Sequence, residues 1–364
     1  MLKYLFYFLL FLNFIIAFRR KKIKIIEIIS WIFLIILISG RCNGPDYGAY
    51  LNEYNGLTEI INHDILYQIL VNLGRFFHLD YNVFLFILVC ISFGMIIYVV
   101  TKLNINSHIF IFFYMIFTVF YDAIQVNNFI ANAFCVLAVY MRINNKKIIS
   151  IALVIIASMI HAVSLIYLFI ILFSLKNEHK NIICLRFFIV IGLLLFSVCI
   201  FVPPILSMAT NIFYYILPNS DVGNYLDIRI NNGYVIFIFL HLMNIFILKK
   251  CKKNLSINTT FNQMNFLNIV YFLNIAIILF YPLLLVNSNF YRIFRNYNIL
   301  IFICYAIVLS SYAIKNKNIY EKKYLSFFCC AIVVSMIWYH FEINQNDYSY
   351  IVEPVIAENY FLGG

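Results

Sequence analysis

Acidic residues are scarce in this sequence: Asp and Glu number 15 in 364 residues, and charged residues of all types make up only 11%. A soluble globular domain carries about 25% charged residues, so that class is excluded. Glycine (11) and proline (6) are few, and no low-complexity linker or repeat divides the chain. The seven histidines are scattered without a His-x-x-x-His pair, and the nine cysteines contain no Cys-x-x-Cys, so neither a metal site nor a disulfide framework is expected. Only Cys42 lies away from an apolar run or a basic cluster. No Gly-rich loop is present to cradle phosphate, which argues against direct use of ATP, and no Asp-x-Asp pair suggests a metal-held nucleotide sugar. No cofactor is expected.

What fills the chain is apolar surface, 64% of residues, in runs separated by compact basic clusters. The clusters are Arg19 to Lys24, Lys102, Arg142 with Lys146 and Lys147, Lys176 with Lys180 and Arg186, Lys249 to Lys253, and Lys315 to Lys323. Basic residues near span ends are retained in the cytoplasm, so the six clusters mark an inner face and the intervening loops an outer one. The sequence therefore predicts an all-α, polytopic membrane protein forming a single integral domain over 1–364. Spans are predicted at 2–18, 25–39, 82–101, 106–121, 128–142, 183–201, 233–248, 265–286, 297–313 and 324–340. Residues 1–18 are read as a first span entering from outside, since the basic cluster follows the apolar stretch.

Residues 148–175 form one apolar run of 28 with basic residues at both ends. Two short helices turning near His161 and Ser164 satisfy both clusters. Each arm rises only about 20 Å, which places the tip inside an outward-facing cavity. Counted as two, the hairpin brings the total to 12 crossings. A single long tilted helix is the alternative and would invert everything after it.

On this topology the inner side holds 20 basic residues against Glu27, Glu178 and Glu321, a net of +17. The outer side holds Lys3, Arg41, Arg75, Arg229, Arg292 and Arg295 against 12 acids, a net of −6. The formal +11 is thus a topology signal and implies no nucleic acid. Three outer segments exceed simple turns: 40–81, 202–232 and 341–364. Within the first, Ile65, Leu66, Ile69, Leu70, Leu73, Phe76 and Phe77 recur at helical spacing and predict an interfacial helix, with Arg75 meeting headgroups. The second, with Pro203, Pro204 and Pro218, reads as a loop.

Five of the six outer basic residues are Arg, whereas the inner side has 16 Lys to 4 Arg. A guanidinium fork binds phosphate or carboxylate bidentately, so this choice points to an anionic ligand. Arg41, Arg292 and Arg295 are the first candidates and Arg229 a weaker one. Headgroup contact for Arg292 and Arg295, and pairing of Arg41 with Asp46, is the plainer reading of the same residues.

Arg41 with the Gly44-Pro45-Asp46-Tyr47 turn and Tyr50, the Gln125 to Ala131 stretch, Ile160-His161, and Phe290-Tyr291-Arg292-x-x-Arg295-x-Tyr297 together resemble the EpsG-like, Wzy-type bacterial polysaccharide polymerases. The likeness covers roughly residues 40–300 and rests on the order of short motifs. One departure stands out: where the family commonly has Arg-Gln before a span, this chain has Asn127-Asn128.

The resemblance implies a glycosyltransferase of the bacterial inner membrane. Its substrate would be an oligosaccharide on polyprenyl diphosphate, handled at the outer face of the bilayer, with a flippase and a chain-length regulator as candidate partners. Sugar contacts would come from aromatic residues such as Tyr47, Tyr50, Tyr54, Tyr214, Tyr215 and Tyr297. The reaction needs charge stabilisation at the departing diphosphate and a base for the acceptor hydroxyl. His161 is the expected base because imidazole titrates near neutrality, with Asp46 its rival. A lipid-linked oligosaccharide flippase and a polysaccharide ligase are the competing functions, though a transporter ordinarily leaves more ionisable groups inside the membrane.

Overall fold

A computed structural model describes residues 1–57, 65–202, 233–254, 259–286, 288–313, 318–343 and 348–363. Every regular element among these residues is helical. The segments 202–232 and the residues Arg229, Tyr214 and Tyr215 fall almost wholly outside the described residues.

The chain opens with two apolar helices, α1 (Leu2–Phe18) and α2 (Lys24–Ser39), followed by two short helices, α3 (Tyr47–Tyr54) and α4 (Ile65–Phe76). Then come α5 (Tyr81–Lys102), α6 (Ser107–Ile116), α7 (Thr118–Ile124), α8 (Val126–Ile143) and α9 (Lys147–Ile160). A 3-10 segment (Ala162–Ile171) leads to α10 (Glu178–Phe201), α11 (Tyr234–Asn254), α12 (Phe261–Ala276), α13 (Tyr281–Val286) and α14 (Arg292–Arg295). The chain finishes with α15 (Asn298–Ala313), α16 (Asn318–Glu342), a π-helical turn (Tyr348–Val352) and α17 (Glu353–Ala357).

Among the described residues, seven helical stretches are long and apolar enough to cross a membrane, eight if α6 and α7 form one span bent by 68°. The bend, at Phe117 (φ −151°, ψ −34°), was not foreseen from the unbroken apolar run. The expected total of 12 is not reached on length alone. α1 has 17 residues, α2 16, and the hairpin arms 14 and 10, short of the roughly 20 that cross the hydrocarbon unaided. All ten residues of α6 are buried, and α15 is enclosed by neighbours. By contrast α10 exposes Ile183, Phe187, Val190, Leu194 and Phe201. An apolar helix bare on most sides needs a nonaqueous surround, and lipid supplies it.

Among the described residues, the basic clusters share one end of the bundle, and the polar contacts between the turns show it. Arg20 faces Glu321 (3.9 Å), and Asn106 donates to the Lys21 carbonyl (2.8 Å). The Asn106 amide donates to Ser310 (2.8 Å), and Gln263 donates to the Leu103 carbonyl (2.7 Å). Helix caps lie at the same end: Asn106 over α6, Asn177 over α10, and a Thr260–Gln263 capping box on α12.

Arg142, at the clustered end of α8, donates to the carbonyls of Ile170 and Phe173. The 3-10 segment therefore ends where α9 began. An α-helix of 14 residues rises about 21 Å and ten 3-10 residues about 20 Å, so the arms match and close a hairpin at the extended residue His161 (φ −154°, ψ 113°). A single helix through 148–175 does not form.

The amphipathic α4 exposes Ile69, Leu73 and Phe76 while burying Tyr67 and Val71. Arg75 differs from expectation. It turns inward and donates to the carbonyls of Glu53 and Tyr54, at the C-terminal end of α3.

Candidate functional site: an arginine-walled cavity

At the end of the bundle opposite the basic clusters, α2 stops at Gly40 and the chain turns back into α3. Asn82, at the head of α5, pins this turn: its amide donates to the carbonyls of Ser39 and Arg41 (both 2.9 Å) and its oxygen accepts from Tyr47 (3.0 Å). Arg41 is fully buried and donates one hydrogen bond, from Nη1 to the Pro45 carbonyl (2.9 Å). Its Nε and Nη2 have no partner among the described residues. Burial pushes the guanidinium below its ordinary pKa, against the opposing pull of Tyr81, Asp46, Tyr50 and Tyr47. It remains a cation, and one whose hydrogen-bonding capacity is mostly unused.

The turn contains two left-handed residues, Gly44 (φ 101°) and Asp46 (φ 62°). Gly44 packs on Pro354, and an added Cβ would stand 2.8 Å from it. Asp46 holds a conformation that costs a non-glycine residue energy, and such cost concentrates at functional positions. It precedes α3 without capping it. Pro45 and Asp46 instead line a cavity of about 410 Å³.

The opposite wall comes from elements distant in sequence. Tyr121, Ile124 and Gln125 enter from the break between α7 and α8, and Tyr291 and Arg292 from the start of α14. Phe237, Phe341 and Tyr350 complete an aromatic rim, with Ile351 beside them. Arg292 has a buried Nε without a partner among the described residues. Arg292 and Asp46, 246 positions apart, thus meet at one cavity, and Arg41 stands behind its Pro45 wall, bonded to that residue's carbonyl.

Other candidates stand elsewhere. Arg295 is buried behind the wall, donating to the Tyr291 hydroxyl (3.0 Å) and to Gln125 Oε1 (2.6 Å), with its guanidinium 4.0 Å from the Tyr121 ring centre. Tyr47 and Tyr50 serve the frame, through Asn82 and through Asn127 (3.3 Å). Tyr297 is wholly buried and stacks on Tyr167 at 4.6 Å. His161 is half-buried at the hairpin tip and is not among the residues lining the cavity, because the hairpin packs against α8 and α4. Arg229 lies outside the described residues.

The Asn127-Asn128 departure has a structural use. Asn127 holds Tyr50, and Asn128 exchanges reciprocal amide hydrogen bonds with Asn296 (2.8 and 2.9 Å). Asn296 also accepts from Tyr167 through its carbonyl (3.1 Å). First loop, hairpin and late arginine segment are thereby tied to the head of α8. Asp122 is the residue that sequence reasoning passed over. It is buried beside Arg295 and accepts from Tyr114 (2.8 Å). One signal was available: Asp122 is the sole acid between Asp80 and Glu178.

Fold and site together define a multi-pass, all-helical membrane protein with an aromatic-rimmed cavity, lined by Arg292 and Asp46, at one end of its bundle. The chain matches the EpsG family over residues 24–352 and belongs to that family, which is associated with polysaccharide polymerisation. No curated protein and no solved structure matches it.

Proposed function

We propose that the cavity polymerises oligosaccharide repeat units carried on polyprenyl diphosphate, moving the growing glycan from its lipid onto the terminal sugar of the next unit. The observation that carries this reading is the meeting of Arg292, with an unpartnered buried Nε among the described residues, and the Asp46 carboxylate at one cavity, with the unsatisfied guanidinium of Arg41 behind its Pro45 wall. In the reaction the bond between sugar C1 and the diphosphate oxygen breaks, and the diphosphate leaves with the electron pair. Its charge rests on the Arg292 guanidinium, with the buried cation of Arg41 behind the Pro45 turn adding to the positive field, and low dielectric and excluded water strengthen the interaction. The acceptor hydroxyl forms the new bond to C1 and yields its proton to Asp46. Asp46 takes this role in preference to His161 because it lines the cavity. The exposed apolar face of α4 offers a resting surface for the lipid chain.

Retention of basic clusters in the cytoplasm orients the cavity outward from the bacterial inner membrane. On that reading α1, α2 and the hairpin arms complete 12 short or full crossings. A flippase would deliver the substrate and a chain-length regulator would receive the product.

The test is complementation of a deletion strain, scoring polymer and single surface-attached units together. Arg41→Ala and Arg292→Ala should leave single units and no polymer, and Arg→Lys should be nearly as defective because an ammonium cannot reproduce the fork. Loss of the single units as well would indicate transport instead. Cysteines placed at positions 55 and 145 on a cysteine-free background provide the orientation test: an impermeant reagent should label 55 in intact cells, and labelling of 145 alone would refute the orientation.

A further inference from the structure

Arg295 carries a charge at the edge of the cavity but spends it inside the protein. Nη1 donates to Tyr291 and Nη2 to Gln125, the guanidinium lies over the Tyr121 ring, and the buried carboxylate of Asp122 faces it. The consequence falls on Gln125. Arginine has donors only, so the Gln125 atom 2.6 Å from Nη2 must be its oxygen. The choice between oxygen and nitrogen, often arbitrary for an amide, is settled here by chemistry. The amide nitrogen with its two N–H groups is turned away from Arg295, in a residue that lines the cavity.

The backbone reinforces this placement. Gln125 leaves helical geometry (φ −110°, ψ 65°) between α7 and α8 and is the residue before the first turn of the 18-residue α8. Its N–H donates to the Tyr121 carbonyl (2.8 Å), and its own carbonyl accepts from Phe129 (3.0 Å). The positive end of the α8 dipole therefore points toward the same space. A second, independent feature of that space is Arg292, which lines it and has a buried Nε unpartnered among the described residues.

We infer that Gln125 is an anion-binding residue of this cavity and that Arg295 is its positioning residue, orienting the amide so that its N–H groups meet the diphosphate held by Arg292. This rests on the reading of the cavity as a diphosphate site. It assigns Arg295 no contact with the anion, and it makes Asp122 the counter-charge that allows a buried arginine to stand behind the wall.

The test is calorimetric titration of the full chain in lipid nanodiscs with inorganic pyrophosphate. Gln125→Glu keeps the hydrogen bond to Arg295 but replaces N–H donors by a negative oxygen, and affinity should fall at least about tenfold, the worth of a hydrogen bond to a charged group. Gln125→Met should weaken binding several-fold without introducing repulsion, and melting of both variants reports whether they are folded. The positioning role is read from a cycle built on the charge-balanced pair Arg295→Met with Asp122→Asn. That pair should weaken pyrophosphate binding by itself, yet add nothing once Gln125 is Met, because its effect passes through Gln125. Multiplying losses would mean that Arg295 touches the anion, and would overturn the inference. Wild-type affinity in Gln125→Glu, alongside lost binding in Arg41→Ala and Arg292→Ala, would also overturn it while leaving the proposed function standing. Failure of the wild-type protein to bind pyrophosphate would remove both.

Discussion

Replacing Arg41 by Met should make the protein more stable and inactive. In the wild-type protein a buried guanidinium makes one hydrogen bond, to the Pro45 carbonyl, and leaves Nε and Nη2 unpartnered. Each unsatisfied buried donor costs about 1–3 kcal/mol, so removing two gains about 2–4 kcal/mol after partial relaxation. Against this stand the lost hydrogen bond, about 1 kcal/mol, and the Tyr47 ring 5.5 Å from the guanidinium, about 0.5–1 kcal/mol. Methionine fills much of the vacated volume and adapts to irregular space. The net expectation is a gain of about 1–2 kcal/mol, a rise in melting temperature of a few degrees for a chain of this size. Saturating pyrophosphate should reverse the order. At a hundredfold excess over Kd the wild-type protein gains about 2.7 kcal/mol, whereas the variant should gain far less. Thermal melts of both proteins in detergent, with and without pyrophosphate, provide the measurement. A variant that melts below wild type without the anion, or that shows an equal anion-induced shift, would refute the idea that Arg41 is held in a costly state for a ligand.

Asp46→Asn and Asp46→Gly should both reduce polymer formation by about a hundredfold or more, the usual worth of a general base. Asp46→Gly should nevertheless melt no lower than wild type, since glycine accepts φ 62° freely; polymer in either variant at wild-type length would remove Asp46 from the chemistry. His161→Gln should retain substantial polymer because His161 does not line the cavity, and its complete loss at normal protein abundance would return the histidine to the reaction. Gly40→Ala should destabilise the protein, because a Cβ there overlaps the Asn359 carboxamide. Displacing Asn359 forfeits its bonds to the Ile36 carbonyl (2.9 Å) and from the Phe361 amide (3.1 Å), and loosens the bond from Tyr360 to Gly40 (2.7 Å). At about 1 kcal/mol each the loss is about 2–3 kcal/mol, readable as a lowered melting temperature, and an unchanged melt would show that the tail segment is not what seats the first loop.

Much of the architecture was legible in the sequence because membrane insertion is governed by local quantities. The length of an apolar run and the charge at its ends decide whether and where a segment crosses. The gathering of six basic clusters at one end and the hairpin around His161 could both be read from such quantities, the second from a run too long for one helix and charged at both ends. The bend at Phe117 and the inward turn of Arg75 could not, since each depends on which neighbour a helix meets.

The sequence by itself determined the class of protein, the span-and-cluster order, and an excess of arginine over lysine away from the clusters, because composition and spacing are carried along the chain. Only the tertiary structure decided what each of those arginines does. Arg292 and Arg295 are three residues apart on one helical turn, yet one lines the cavity and the other stands behind Tyr121 and Gln125. Asp46 joins Arg292 across 246 positions because Asn82 fixes the first turn and the Asn128–Asn296 pair fixes α8 against the late segment. The rotation of one helix about its axis relative to another is set by packing and buried hydrogen bonds between distant residues, and no local pattern encodes it.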